Sequence, residues 1–271
     1  MRSLWRLRVC RQLWFLLLGS LALLSGCAAV PGQAPWGSRV VFTPGWEQLE
    51  QATVNALKDP LTWGPAAGAL ACTVGDLDRD ISAWGQEQQP LFGGDPDTAS
   101  DLLLAATGGL YLGSALLADS GRDDTRARNK LQGLGLGLTA NLTTAGLSYG
   151  VKKTARRSRP DASDHESFPS GHSSLAATNA ALFSANLDAL PLVPAARTTL
   201  RGTGYALAWG TAWARIEAGQ HYPSDVLAGL ALGHFVARVA QDTLLPNAQH
   251  AANFDLQLDR QRLLVTLQRS F

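Results

Sequence analysis

From Thr98 onward, apolar positions in this chain recur with a helical period. Asp101 to Ala118 forms one apolar element, and Asp124 opens another that runs to about Ala155. Ser170 to Leu187 and Thr198 to Glu217 predict two more helices. Pro223 to Leu245 predicts the last long one, with proline in the first turn, where its missing N–H is no loss. Upstream, Trp46 to Leu57 predicts a first helix ended by Asp59-Pro60, and residues 74–97 predict loop with one short helix. Period-two alternation occurs only at the end. Phe254, Leu256 and Leu258, then Leu263, Val265 and Leu267, flank a turn at Asp259-Arg260-Gln261, so Asn253 to Gln268 predicts a hairpin. The expected fold is all-α, with a helical bundle over 46–250 and a small C-terminal β-hairpin over 251–271.

The stretch from Leu131 to Val151 carries no charge and is long enough to span a bilayer. Its Gln, Thr, Asn and Ser residues, and glycines at 133, 135, 137, 146 and 150, suit close helix packing in water as well as in lipid. We expect it in a soluble helical core.

The chain ends change the charge picture. Arg2, Arg6, Arg8 and Arg11 precede the apolar run Leu13 to Leu24, which is short for a membrane span and fits a secretory signal. Leu24-Ser25-Gly26-Cys27 resembles the lipobox of a bacterial lipoprotein signal. That resemblance implies cleavage after residue 26, lipid on Cys27 and, with Ala28 next, a lipid-anchored protein of the bacterial cell envelope on the outer membrane facing the periplasm. An ordinary cleaved signal and an uncleaved anchor are the alternatives. Residues 27–45, rich in Pro and Gly, read as a tether. Removing the four arginines of the signal from 23 basic residues leaves 19 against 22 acidic ones, net −3, which excludes a global nucleic-acid binder. Cys72 is then the one unmodified cysteine, so no internal disulfide and no Cys/His metal spacing exists.

Chemistry concentrates in three short clusters. The first is Lys152, Lys153, Arg156, Arg157 and Arg159, with Pro160 blocking a helix directly after Arg159. A solvated basic helix end is the plain account; aimed inward, an arginine grips two oxygens of an oxyanion while a lysine acts as a point charge. The second is Phe168-Pro169-Ser170-Gly171-His172, a tight turn at the mouth of a helix. It suits an anion held by backbone N–H groups, although Ser170 and Ser173 also read as helix caps. His172 there is placed to protonate a leaving oxygen. The third is Arg215 with His221 and Asp225. Asp225 falls in the first turn begun by Pro223 and would accept the imidazole N–H of His221, leaving the other ring nitrogen as a nucleophile.

Taken in order, Lys-x6-Arg-Pro, Pro-Ser-Gly-His and Arg-x5-His-x3-Asp resemble the phosphatidic acid phosphatase type 2 superfamily. It also contains bacterial class A acid phosphatases and vanadium haloperoxidases. The resemblance covers roughly residues 98–243, with Ala214 where serine is usual and a short spacer from Pro160 to Pro169. It implies a helical phosphatase core. Lys152, Arg159 and Arg215 would hold phosphate oxygens, helped by Ser170 and the backbone at Gly171. His221 would become phosphorylated, Asp225 would orient it and His172 would serve the leaving group. No metal and no cofactor are expected, because three cations neutralise the charge. The implied partner is a phosphorylated lipid or a small phosphate ester, with the membrane reached through the lipid on Cys27. A vanadium-dependent haloperoxidase on the same anion site and a non-enzymatic envelope lipoprotein are the alternatives. His234 is expected in the core or at an interface, His165 in a solvated loop beside the site with contact to substrate as the alternative, and His250 in a linker.

Overall fold

The computed structural model describes residues 34–245, together with the backbone of 252–259 and 262–269. Eight α-helices follow one another among the described residues: α1 (Trp46–Lys58), α2 (Pro60–Cys72), α3 (Leu77–Gln88), α4 (Pro96–Leu117), α5 (Asp123–Ala155), α6 (Gly171–Asn186), α7 (Pro194–Glu217) and α8 (Pro223–Leu244). The fold is an all-α bundle.

Helices α6 and α8 form its centre. α6 packs against α4, α5, α7 and α8, and α8 also meets α1, α2 and α5. α6 can be enclosed because its turns are built from small side chains: Ser173, Ser174, Ala176, Ala177, Thr178, Ala180 and Ala181 are all buried. α8 answers with glycine. A Cβ on Gly233 would lie 1.9 Å from the Ser174 carbonyl oxygen, and one on Gly229 would lie 2.6 Å from that of Ser170. These two positions, one turn apart, let α8 lie directly on the first turns of α6. The contact brings the Pro169–His172 turn against the start of α8. Beside it, Ala176, Ala180, Ala208, Ala212, Ile216, Val226 and Leu230 close an apolar cluster between α6, α7 and α8. A second cluster around Phe183, Leu187 and Leu200 fills the other end of α6.

Several expectations are corrected. α2 was not expected: its uncharged sequence shows no polar face, yet the Asp59 side chain caps it through the Leu61 N–H, with Pro60 in the first turn. α3 is a full helix of 12 residues where loop and a short helix were expected. α7 begins at Pro194, ahead of Thr198. The tether expected over 27–45 is not free over its described half. Trp36 donates its indole N–H to Asn186 and its backbone N–H to Asp119, and the Val41 N–H bonds to the Leu244 carbonyl.

The uncharged stretch of α5 is only half core. Leu136, Ala140, Thr144 and Ser148, four apart, form its buried stripe, while Leu131, Leu138 and Leu142 on the other side are 70%, 59% and 63% exposed. Among the described helices, α4 is the one long and apolar enough to cross a membrane by length and composition.

The signal, Cys27 and His250 lie outside the described residues. The expected hairpin is not part of the described helical bundle. The backbone pairs Ala252–Asp259 with Arg262–Arg269 in antiparallel register.

Candidate active site

Helix α5 ends earlier than Pro160 suggests. Arg156 turns left-handed at φ 48°, so Lys152 stays on the last helical turn while Arg157 to Arg159 lie beyond the helix in irregular chain. That chain is clasped to the segment before Pro169: the Ser167 N–H bonds to the Arg157 carbonyl, and the Arg159 N–H to the Asp164 carbonyl. The short spacer is therefore a tight loop, and it returns Ser167 to the centre of the site. The Lys152 ammonium donates to the Glu166 carbonyl at 2.5 Å.

The second cluster sits where α6 starts. Ser170 is fully buried and caps the helix: its hydroxyl accepts from the Ser173 N–H and the Ser173 hydroxyl, and its own N–H bonds to the Asp225 carbonyl. The capping role and the expected anion role are compatible, since the Ser170 hydroxyl still has a proton to donate. Lys152 reaches over Gly171, with Cε 3.9 Å from where a Cβ would stand.

His221 lies at the centre, 2% exposed. Its Nδ1 is 2.6 Å from the Ser167 carbonyl oxygen. A carbonyl can only accept, so Nδ1 carries the proton and Nε2 is left with its lone pair. The direct bond expected from His221 to Asp225 is not made: Nδ1 and Oδ2 are 4.0 Å apart. Asp225 instead accepts from the Ser167 hydroxyl, the Arg157 guanidinium and the Tyr222 N–H, so it reaches His221 through Ser167. Burial, opposed by the Ser167 hydrogen bond and the Arg157 charge, raises the Asp225 carboxyl above its ordinary value.

All three clusters converge on His221. Burial, then the charges of Lys152, Arg215 and Arg159, hold its imidazole well below the ordinary histidine value, against the Ser167 bond. Gln220 joins two of these cations, its side-chain oxygen accepting from both Arg159 and Arg215. The Lys152 ammonium is itself lowered to about 8 by burial and by Arg159. Three cations around a neutral imidazole suit a dense anion and resist a proton.

His172 stands at the rim. Its Nε2 is 2.9 Å from Asp101, and Arg215 bonds to Asp97 at 2.7 Å and to Ser100. Burial and Arg215 lower the His172 imidazole, while Asp101 and Asp97 act the other way. Sequence reasoning missed Asp97, Ser100 and Asp101 from α4, Ser167, Gln220, and Asp78 from α3, which bonds to Arg157 at 2.7 Å. Ser167 and Gln220 adjoin motif residues and were within reach; the α3 and α4 acids carry no local signal.

Among the remaining histidines, His165 is exposed and bonds to the Ser158 hydroxyl. His234 is buried 3.3 Å from Asp59 and packs near the Tyr205 ring, in the core as expected. Among the described residues, no group of three or more His, Cys, Asp or Glu side chains is placed to hold a metal ion.

These motifs and this bundle have counterparts among known proteins. Residues 133–245, which contain all three clusters, match the family model described as the PAP2 superfamily. A solved structure with the same fold is a transmembrane PAP2-type phosphatidylglycerolphosphate phosphatase from Bacillus subtilis. The two are 23% identical at a TM-score of 0.52, over 69% of this chain and 94% of that one. No curated protein matches the chain significantly.

Proposed function

We propose that this chain is a phosphatase that hydrolyses phosphate monoesters or pyrophosphates, with membrane lipids as its substrates, through a phosphohistidine on His221. One observation carries the reading: a buried imidazole whose Nδ1–H is fixed on a carbonyl, so that Nε2 is a free nucleophile amid Lys152, Arg159 and Arg215. The lone pair of Nε2 forms an N–P bond as the bond from phosphorus to the leaving oxygen breaks. The three cations, with Ser170 and the Gly171 backbone, take the charge on the non-bridging oxygens. His172 gives its proton to the leaving oxygen. Water then attacks phosphorus, its proton passing to His172, and inorganic phosphate leaves with His221 neutral again. Asp225 holds the Ser167 side chain, and Ser167 holds the His221 tautomer.

The lipid preference rests on the surface. Leu112, Leu116, Leu138 and Leu142 on α4 and α5 are at least half exposed, an apolar flank that suits a lipid bilayer. The likeness to a lipid phosphate phosphatase agrees with it. A lipid on Cys27 would add the second attachment that stable anchoring needs.

The test is phosphate release with a chelator present, from an aryl phosphate, a nucleotide, phosphatidic acid and a polyprenyl pyrophosphate. His221→Ala should abolish release from all four, and lipid substrates should rank first. Equal release by the variant would refute the histidine mechanism, and a preference for the nucleotide would refute the lipid reading.

A further inference from the structure

A charged network reaches His221 from its Nδ1 side, through Ser167. Its outermost member is Asp78 of α3, which lies outside the stretch that matches the superfamily model. Asp78 is 6% exposed. One of its oxygens accepts from the Ser224 N–H at 2.8 Å, and the other accepts from the Ser224 hydroxyl and from Arg157 Nη2. Arg157 Nη1 then donates to the Ser224 hydroxyl oxygen at 2.6 Å and to Asp225 Oδ1 at 2.7 Å. The guanidinium also lies over the Tyr222 ring, with Cζ 4.3 Å from its centre. Asp225 Oδ2 accepts a hydrogen bond from the Ser167 hydroxyl, and the Ser167 carbonyl accepts one from the His221 Nδ1–H.

Each link has one good geometry. Arginine presents a rigid planar fork, and here both its ends are filled by carboxylates from separate helices, α3 and α8. The Arg157 backbone carbonyl also holds the Ser167 N–H, so one residue fixes Ser167 through its main chain and, by way of Asp225, through its hydroxyl. A buried Asp225 without the Arg157 side chain would stand close to Asp78 with no cation between them, while the backbone bond to the Ser167 N–H would remain.

We infer that Arg157 and Asp78 are positioning residues: they lock Ser167, through Asp225, in the place that keeps His221 in its Nδ1–H tautomer with Nε2 aimed into the anion site. The inference rests on His221 being the nucleophile, and its consequence for the tautomer can be read without turnover. Arg157 is thereby set apart from its neighbours Arg156 and Arg159: Arg159 serves the anion and Arg157 serves the histidine.

The experiment labels the full-length protein with 15N-histidine and compares wild type, Asp78→Asn, Arg157→Gln, Arg157→Lys and the Asp78→Asn/Arg157→Gln double variant. Imidazole 15N shifts report the His221 tautomer, with His221→Asn assigning the signal. Steady-state kinetics on an aryl phosphate report kcat and KM separately, and vanadate titration reports the anion site. Wild type should show a single Nδ1–H tautomer. Asp78→Asn and Arg157→Gln should each show mixed tautomers, with kcat down about 100-fold, a loss of about 2.7 kcal/mol in transition-state stabilisation, while KM and vanadate affinity stay within about threefold. The double variant should be little worse than either single, because the chain acts as a unit, and Arg157→Lys should recover only part of the loss.

A fixed His221 tautomer and unchanged kcat in both single variants would overturn the inference. So would a joint loss of vanadate binding, kcat and near-ultraviolet circular dichroism, since that marks a role in folding alone. If wild type releases no phosphate but the tautomer still depends on Asp78 and Arg157, the network stands and the phosphatase reading fails.

Discussion

His221 and His172 face opposite demands, and their surroundings set the pH response. In the proposed mechanism His221 attacks as a neutral base. Its lowered pKa keeps Nε2 unprotonated well below the ordinary histidine value, so activity is lost only as pH falls far enough to protonate it. In the same proposal His172 must carry a proton to serve the leaving group. Its pKa is also lowered, so that proton is lost as pH rises, before an ordinary histidine would lose it. Lys152 adds a second alkaline step, because its charge disappears through about pH 8. kcat/KM for an aryl phosphate should therefore peak on the acid side of about pH 6.5, the unperturbed histidine value. It should fall in two steps above the peak, and His172→Gln should remove the first. A plateau that continues to pH 9 would contradict these assignments. All the motif residues named from the sequence were found around one centre, because each motif is local and its chemistry can be read from residue type. Their partners could not be read so. The Ser167 carbonyl is backbone and leaves no trace in residue type, and Asp78, Asp97 and Asp101 arrive from helices whose packing no local pattern reveals.

Helices α6 and α8 hold the second and third clusters together, so their contact is the structural condition for the site. Gly233 and Gly229 set the distance between them. Gly233→Val would drive a branched side chain into the Ser174 backbone. Overpacking of this kind costs about 1–3 kcal/mol, or more where backbone must move. The melting temperature should drop by at least about 2 °C. Activity should fall beyond what unfolding explains, because the Ser170 turn is pushed off Asp225. A melting curve and aryl phosphate turnover check both; unchanged values would mean the helices are not held by this approach. Helix periodicity gave the long helices from α4 onward to within a few residues. α2 was lost because thirteen residues without charge carry no polar side to set a period, and because Pro65 reads as a breaker. The placement of α8 on α6 depends on glycines that look unremarkable in a helical pattern.

The whole molecule combines a buried polar centre with leucines turned outward. Leu131, Leu138 and Leu142 face away from the bundle on α5, and Leu112 and Leu116 on α4. The lack of charge from Leu131 to Val151 was legible, but which side of α5 faced out was not, since both faces are apolar or small. If that flank meets lipid, Leu138→Glu with Leu142→Glu should lower turnover of phosphatidic acid in vesicles about tenfold, a change of about 1.4 kcal/mol. Aryl phosphate turnover should stay level. Equal activity on both substrates would show that the flank does not serve lipid. The central claim, however, is the nucleophile. The measurement that tests it most directly is a single turnover with 32P-labelled substrate, quenched in alkali and mapped by peptide. The label should appear on the peptide that holds His221, turn over to inorganic phosphate, and be absent from His221→Ala. Product formed with no labelled protein, or with label on any other residue, would contradict it.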